Sequence, residues 1–382
     1  MPQTPSVAHV GTYPPTRCGI ATFTWSLADA MRRSGRCGRT GVVACVDAAG
    51  ALEQPAEVVC ELVAGSPDSC ETAASALSEF DLVVLQHEFG IFGGEDGDEV
   101  VDLVEQIQAP LLTVLHTVPS RPTPRQREIL EQLCGESVAV VVLSRAARTR
   151  LLELYDVEPS RVRHIAHGAT PNLAPTPMPA DPPSSRTVLT WGLIGPGKGI
   201  EWGIEAIALL RTLEPRPRYH VVGQTHPKVL STSGETYRES LLARARALGV
   251  GDLVTFEARY LDQQALLEHA RQADVILLPY ESRDQIVSGV LVEAVSSGKP
   301  VVATRFPHAV ELLGGGAGLL VPHGDPEAIA AALQSIFTEP GLASRLAAGA
   351  SAQAQALAWD RIGRAYASLA ASIVAARIAA RR

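Results

Sequence analysis

The stretch Ala273–Leu313 constrains the fold more than any other. It reads ADVILLPYESRDQIVSGVLVEAVSSGKPVVATRFPHAVELL. Val275–Leu278 is a short apolar run closed by Pro279, the pattern of a strand buried on both faces. A polar loop follows, Glu281 to Gln285, and then an apolar-periodic segment through Glu293 and Ala294. Gly298 ends that helix, and Lys299-Pro300 leads into a second buried run, Val301–Ala303. Strand, loop, helix and strand make one parallel crossover with Ser288 and Gly289 near the helix start. Free backbone N–H groups point outward there and suit an anion such as a phosphate. An ordinary crossover with a turn glycine fits the spacing equally well.

The same alternation runs through the chain and predicts doubly wound α/β domains. Val7–Val10 is a first strand, and a helix follows over Ile20–Arg33, which sets Cys18-Gly19 at the loop-to-helix junction. Such sheets bind ligands at the carboxyl ends of their strands. Asp81–Leu85 is a further strand. His87 lies just past its end, before a loop with Gly90, Gly93, Gly94 and several acids. Two readings of His87 stand level: it borders an acceptor pocket, or it only bonds a backbone carbonyl. Leu111–Leu115 ends at His116, which enters a proline-rich loop and so is placed to meet ligand rather than core. Val138–Leu143 precedes a helix, Arg145–Tyr155, whose arginines read as a solvated face, and Val162–Ile165 follows. Residues 173–185 are rich in Pro and polar residues without periodicity and read as a linker. The expected organisation is a first domain over 1–172, a second over 186–358, and a terminal helix over 359–382.

The second half opens with strand Val188–Ile194, a glycine-rich loop and a helix from Glu201 to Leu213. Gly192 to Lys198 matches the first seven positions of a Walker A loop, but Gly199 stands where a magnesium-holding hydroxyl is required. Strands are expected at Tyr219–Val222, Val254–Phe256 and within Gly314–Val321. Asp325-Pro326-Glu327 is a helix start.

Composition removes several classes. The chain has 382 residues and a net charge of −8, which argues against nucleic acid as the main partner. No run of 18 apolar residues is present, so no membrane span is expected. Arg377, Arg381 and Arg382 leave a peripheral contact with anionic lipid open. The six cysteines all lie before residue 135, with no C-x-x-C pair; they read as reduced thiols of a cytoplasmic protein rather than a metal or disulfide framework.

Glu293-Ala294, Gly298 and Pro300-Val301-Val302 resemble the signature region of the retaining family 4 glycosyltransferases, and the resemblance extends over nearly the whole chain. It implies a GT-B fold: two Rossmann-like domains facing across a cleft, with the last helix crossing back to the first. It implies a nucleotide-diphosphate sugar donor, an acceptor of unknown identity and no cofactor or obligatory metal. By the same resemblance Gly19, Gly223, Ser288, Gly289 and Val290 face the donor, Glu293 binds the nucleotide ribose and His116 contacts the donor sugar. Lys198 binds the diphosphate. Arg259, Tyr260 and Leu261 fall in the segment that borders the base. Three positions depart from the pattern: Cys18 replaces a glycine, Leu193 an arginine, and Gln285 the first signature glutamate, with Asp284 beside it. Losing the arginine removes a charge-assisted contact of roughly 1.5–3 kcal/mol unless Lys228, Arg259, Arg283 or Lys299 substitutes. Three rival readings carry forward: a sugar-nucleotide epimerase of the same fold, a P-loop phosphotransferase, and a non-catalytic sugar-nucleotide-binding subunit.

Overall fold

The computed structural model describes residues 4–172 and 186–380, so the expected linker 173–185 and the terminal Arg381 and Arg382 lie outside the described residues. The chain divides into two compact units, Met1–Gly168 with Trp359–Arg382, and Ala169–Ala358. The first unit therefore ends four residues before the expected boundary, and the terminal helix belongs to it.

The first unit holds a parallel sheet of β1 (Val7–Gly11), β2 (Thr40–Val46), β3 (Val58–Val63), β4 (Leu82–His87), β5 (Leu111–Leu115), β6 (Ala139–Val142) and β7 (Val162–His164). Their order is β3-β2-β1-β4-β5-β6-β7. β1, β4, β5 and β6 are buried along their whole length, as apolar strands covered on both faces must be. The order reverses between β1 and β4, and the loops after those two strands diverge there to leave a crevice. Cys18-Gly19 follows β1, and His87 is the last residue of β4.

The helix Trp359–Ala380 buries Trp359, Ile362, Gly363, Tyr366, Ala367 and Ala370. A Cβ on Gly363 would come within 2.6 Å of Ala30, so this glycine lets the helix lie directly on the helix Gly19–Arg33. By length and composition alone Trp359–Ala380 is apolar enough to cross a bilayer. This differs from the sequence expectation because its alanines raise the mean hydropathy without forming an unbroken apolar run.

The second unit repeats the plan with β8 (Arg186–Trp191), β9 (Pro217–Val222), β10 (Val254–Glu257), β11 (Val275–Leu278), β12 (Val301–Thr304) and β13 (Gly318–Val321). These are ordered β10-β9-β8-β11-β12-β13. The reversal falls between β8 and β11, which brings the glycine-rich loop after β8 beside the signature loop after β11. The core under this sheet gathers Val188, Ile204, Tyr219, Leu277 and Leu333.

Candidate functional site

Two glycine contacts shape the loop that carries Lys198. Gly199 has φ +65°, and a Cβ there would fall 1.9 Å from the Pro279 carbonyl oxygen. Gly223, at the end of β9, has φ +147°, and its Cβ would fall 1.8 Å from the Gly192 oxygen. Both are glycine because the backbones of neighbouring strand ends touch. The Glu281 amide donates to the Gly197 oxygen at 3.0 Å and the Trp202 indole to Glu281 at 3.0 Å. The loop after β8 is thus fastened to the loop after β11.

This fastening puts the Lys198 ammonium 4.5 Å from the centre of the Tyr280 ring, a cation–π distance. Lys198 is half-buried, and burial lowers its pKa. The fastening to the loop after β11 brings the ammonium over that ring. The lost hydration makes the ammonium a stronger partner for an anion.

Ser288 is the N-cap of the helix Gly289–Ser296, its Oγ accepting from the Leu291 amide at 3.2 Å. The Ser288 amide donates to His308 Nδ1 at 2.9 Å. That bond assigns Nδ1 as the unprotonated nitrogen of a buried imidazole. A Cβ on Gly192 would lie 3.6 Å from Val290 Cγ2, so the first turn of this helix borders the glycine loop. Trp191, the last residue of β8, donates from its indole to Glu293 at 3.3 Å. Glu293 has its pKa raised to about 7, burial first and the Trp191 bond opposing it. Gln285 is half-buried and Asp284 exposed; the Gln285 carbonyl accepts from the His308 amide at 3.4 Å.

Of the four cations weighed as substitutes at position 193, Lys299 is buried and donates to the Arg271 carbonyl at 2.8 Å. Arg259 is paired with Glu257, and Arg283 is exposed. Lys228 lies in the first turn of the helix Pro227–Ser233 that follows β9, where its charge and that of Lys198 both depress the His226 pKa, after burial. Arg259, Tyr260 and Leu261 precede rather than start a helix, since Asp262 caps Gln263–Gln272.

In the first unit a Cβ on Gly19 meets nothing within 4 Å among the described residues, so no contact among them demands glycine there. Cys18 caps the following helix, its Sγ accepting from the Ala21 amide at 3.4 Å. His116 is 8% exposed, bonds Gln86 Oε1 through Nε2 at 2.9 Å, and lies edge-on to Phe23 at 4.7 Å. Burial, then the nearby His167 and His87, push its pKa down to about 3, so it works as a neutral imidazole. His167 and Trp359 also pack on Phe23.

His87 is fully buried between Phe89 and Phe92, with no hydrogen-bond partner at either ring nitrogen among the described residues. The loop beyond it, rather than His87 itself, lines a cavity of about 380 Å³ through Ile91, Phe92 and Gly93. Glu71, Glu99, Asp102 and Glu105 also line it, and among the described residues no lysine or arginine does. The sequence reading did not single out Tyr280, Trp191 or His308. The position of Tyr280 directly after the Pro279 that ends β11 was the one available signal.

Residues 185–339 match the family model for glycosyl transferases group 1. The chain is 31% identical to a D-inositol 3-phosphate glycosyltransferase of Frankia alni, over 65% of this chain and 62% of that protein. It is 30% identical to one of Streptomyces bingchenggensis, over 69% and 62%. It thus spans about three fifths of the length of these relatives. Among solved structures it resembles Anabaena Alr3699/HepE in complex with UDP and glucose, at TM-score 0.77 and 18% identity over 96% of this chain and 100% of that one. The sucrose-phosphate synthase of Thermosynechococcus elongatus gives TM-score 0.77 at 20% identity over 97% and 100%. The second unit thus matches glycosyl transferases group 1, and the chain has the GT-B fold of these solved structures.

Proposed function

We propose that the chain is a retaining family 4 glycosyltransferase that moves a sugar from a nucleoside-diphosphate sugar to an acceptor hydroxyl without an obligatory metal. One observation carries the reading. At the topological switch of the second sheet, the Lys198 ammonium lies over Tyr280 while the first turn of Gly289–Ser296 borders the same glycine loop. Departure of a nucleoside diphosphate breaks the anomeric C–O bond and leaves the electron pair on a phosphate oxygen. A desolvated ammonium and free helix amides stabilise that charge as it develops. The acceptor oxygen bonds to the anomeric carbon on the same face, and its proton passes to the leaving phosphate oxygen. Glu293 receives the ribose hydroxyls, and Gln285 holds sugar hydroxyls as a neutral hydrogen-bonding group. The relatives' names support glycosyl transfer, and the Anabaena structures in complex with UDP or UDP-glucose support the donor class. Cys45 and Cys134 are buried free thiols, which suits the cytoplasm.

The test is a panel of UDP-, GDP-, ADP- and dTDP-sugars with D-inositol 3-phosphate and neutral polyols as acceptors. The acidic cavity of the first unit favours the neutral ones. Acceptor-dependent release of nucleoside diphosphate, retained anomeric configuration by NMR and indifference to added magnesium are expected. Release without acceptor would support the epimerase reading, and magnesium-dependent ATP turnover the phosphotransferase. Donor binding with no transfer to any acceptor would leave a binding subunit.

A further inference from the structure

Away from the glycine loop, three side chains from separate elements converge in the second unit: His220 of β9, Glu257 at the end of β10, and His269 of the helix Gln263–Gln272. Their ligand atoms all lie within 4.8 Å of one another. Glu257 Oε2 is 3.5 Å from His220 Nε2 and 3.4 Å from His269 Nε2. The two rings meet edge to face at 5.2 Å. These separations are too long for good hydrogen bonds. They match another geometry: four ligands at about 2.0–2.1 Å around tetrahedral zinc are separated by about 3.3–3.4 Å. The second carboxylate oxygen, Oε1, is held by the Arg259 guanidinium, which fixes Oε2 toward the histidines as outer-sphere partners do in metal centres. The side chains are 27%, 28% and 15% exposed for His220, Glu257 and His269, so an ion has access from solvent and a fourth position open to it.

We propose that His220, Glu257 and His269 form a zinc site. Two imidazoles with one carboxylate select a borderline cation over magnesium or calcium, which prefer all-oxygen shells. β10 is the edge strand of its sheet and Glu257 its last residue. The ion therefore ties the free end of the edge strand to its neighbour and to the helix that follows. It clamps the connecting loop, residues 258–262, at both ends. Glu257 also accepts from the Gly223 amide through its carbonyl at 2.9 Å, so the clamp sits on the same strand end that supports the glycine loop. The site neither requires nor supplies the glycosyl-transfer reading.

Full-length protein, stripped of metal by a chelator and then freed of it, is titrated with zinc by calorimetry and with cobalt by visible absorption. One equivalent of zinc, an intense tetrahedral cobalt spectrum and a rise in melting temperature with zinc are expected. His220→Ala and His269→Gln should each weaken zinc binding at least about tenfold and abolish the cobalt spectrum. Far-UV circular dichroism of both variants should match the parent; His269→Gln keeps the proposal testable if the alanine variant misfolds. Absence of stoichiometric zinc binding would overturn the proposal. So would undiminished binding in folded variants, which would place the ion on other residues.

Discussion

Acid should unfold the first unit selectively. His9 and His87 are fully buried without a hydrogen-bond partner at any ring nitrogen among the described residues, and His116 is 8% exposed. Burial holds the three pKa values at about 4, about 3 and about 3, against an ordinary value near 6.5. The folded unit therefore keeps these rings neutral while the unfolded chain takes up protons as pH falls below about 6.5. Each folded pKa is depressed, so the stability is fully present above about pH 6.5 and is lost as pH falls toward about 3. At about pH 5.5 each histidine costs about 1.4 kcal/mol, and the three together about 4 kcal/mol. His167, lowered by burial to about 4, acts in the same direction. For a unit of this size the loss corresponds to a fall in melting temperature of about 8–16 °C between pH 7.5 and 5.5. Calorimetry at the two pH values, with hydrogen exchange assigning the transitions to β1 and β4 or to β8 and β11, measures it. His9→Leu removes one titrating ring and two unpartnered polar atoms, so it should raise the first unit's melting temperature more at pH 5.5 than at 7.5. A first-unit transition unmoved by pH, or a His9→Leu effect of equal size at both, would refute the reasoning.

Three further outcomes follow from the geometry. Glu293, raised to about 7, must ionise to accept ribose hydroxyls, so donor affinity should rise with pH through about 7; Glu293→Gln should flatten that profile in calorimetric titrations. Because that pKa is raised, its carboxyl destabilises the folded second unit increasingly as pH rises from about 4.5 to 7. His116→Ala should lower transfer at least about tenfold while nucleotide binding stays nearly intact; unchanged turnover would return His116 to the packing around Phe23. Gly223→Ala places a Cβ 1.8 Å from the Gly192 oxygen and should cost the second unit more than about 1 kcal/mol, read as a lower melting temperature with the first unit unaffected.

The signature crossover was legible residue by residue. Val275–Leu278 is β11 as expected, and Val301–Ala303 is β12 with one residue added, because strands buried on both faces are apolar throughout and punctuated by Pro and Gly. β2 and β3 were not singled out; β3 lies at the sheet edge, where only one face must be apolar, whereas β2 is interior and buried. Lys198 was found by its glycine neighbours, but its seat over Tyr280 depends on a loop eighty residues away in the chain. His87 was placed at the right strand end and given the wrong surroundings, since a histidine after an apolar run does not reveal whether aromatic residues beyond it fold back. The trio His220, Glu257 and His269 left no trace in spacing: strand register and a crossing helix bring it together. Sequence periodicity reports elements and their faces, whereas these contacts arise from how the elements pack.

Binding of a nucleoside diphosphate to the parent and to Lys198→Ala, measured by calorimetry beside turnover, tests the central claim most directly. The account requires saturable binding by the parent and a fall in transfer on the order of 10²–10³-fold in the variant, as removal of one preorganised charge stabiliser gives. The melting temperature should hardly move, since the half-buried ammonium makes no ion pair among the described residues. Transfer and nucleotide affinity unchanged in Lys198→Ala, with a melting temperature several degrees lower, would make Lys198 a packing residue and contradict the assignment of the site.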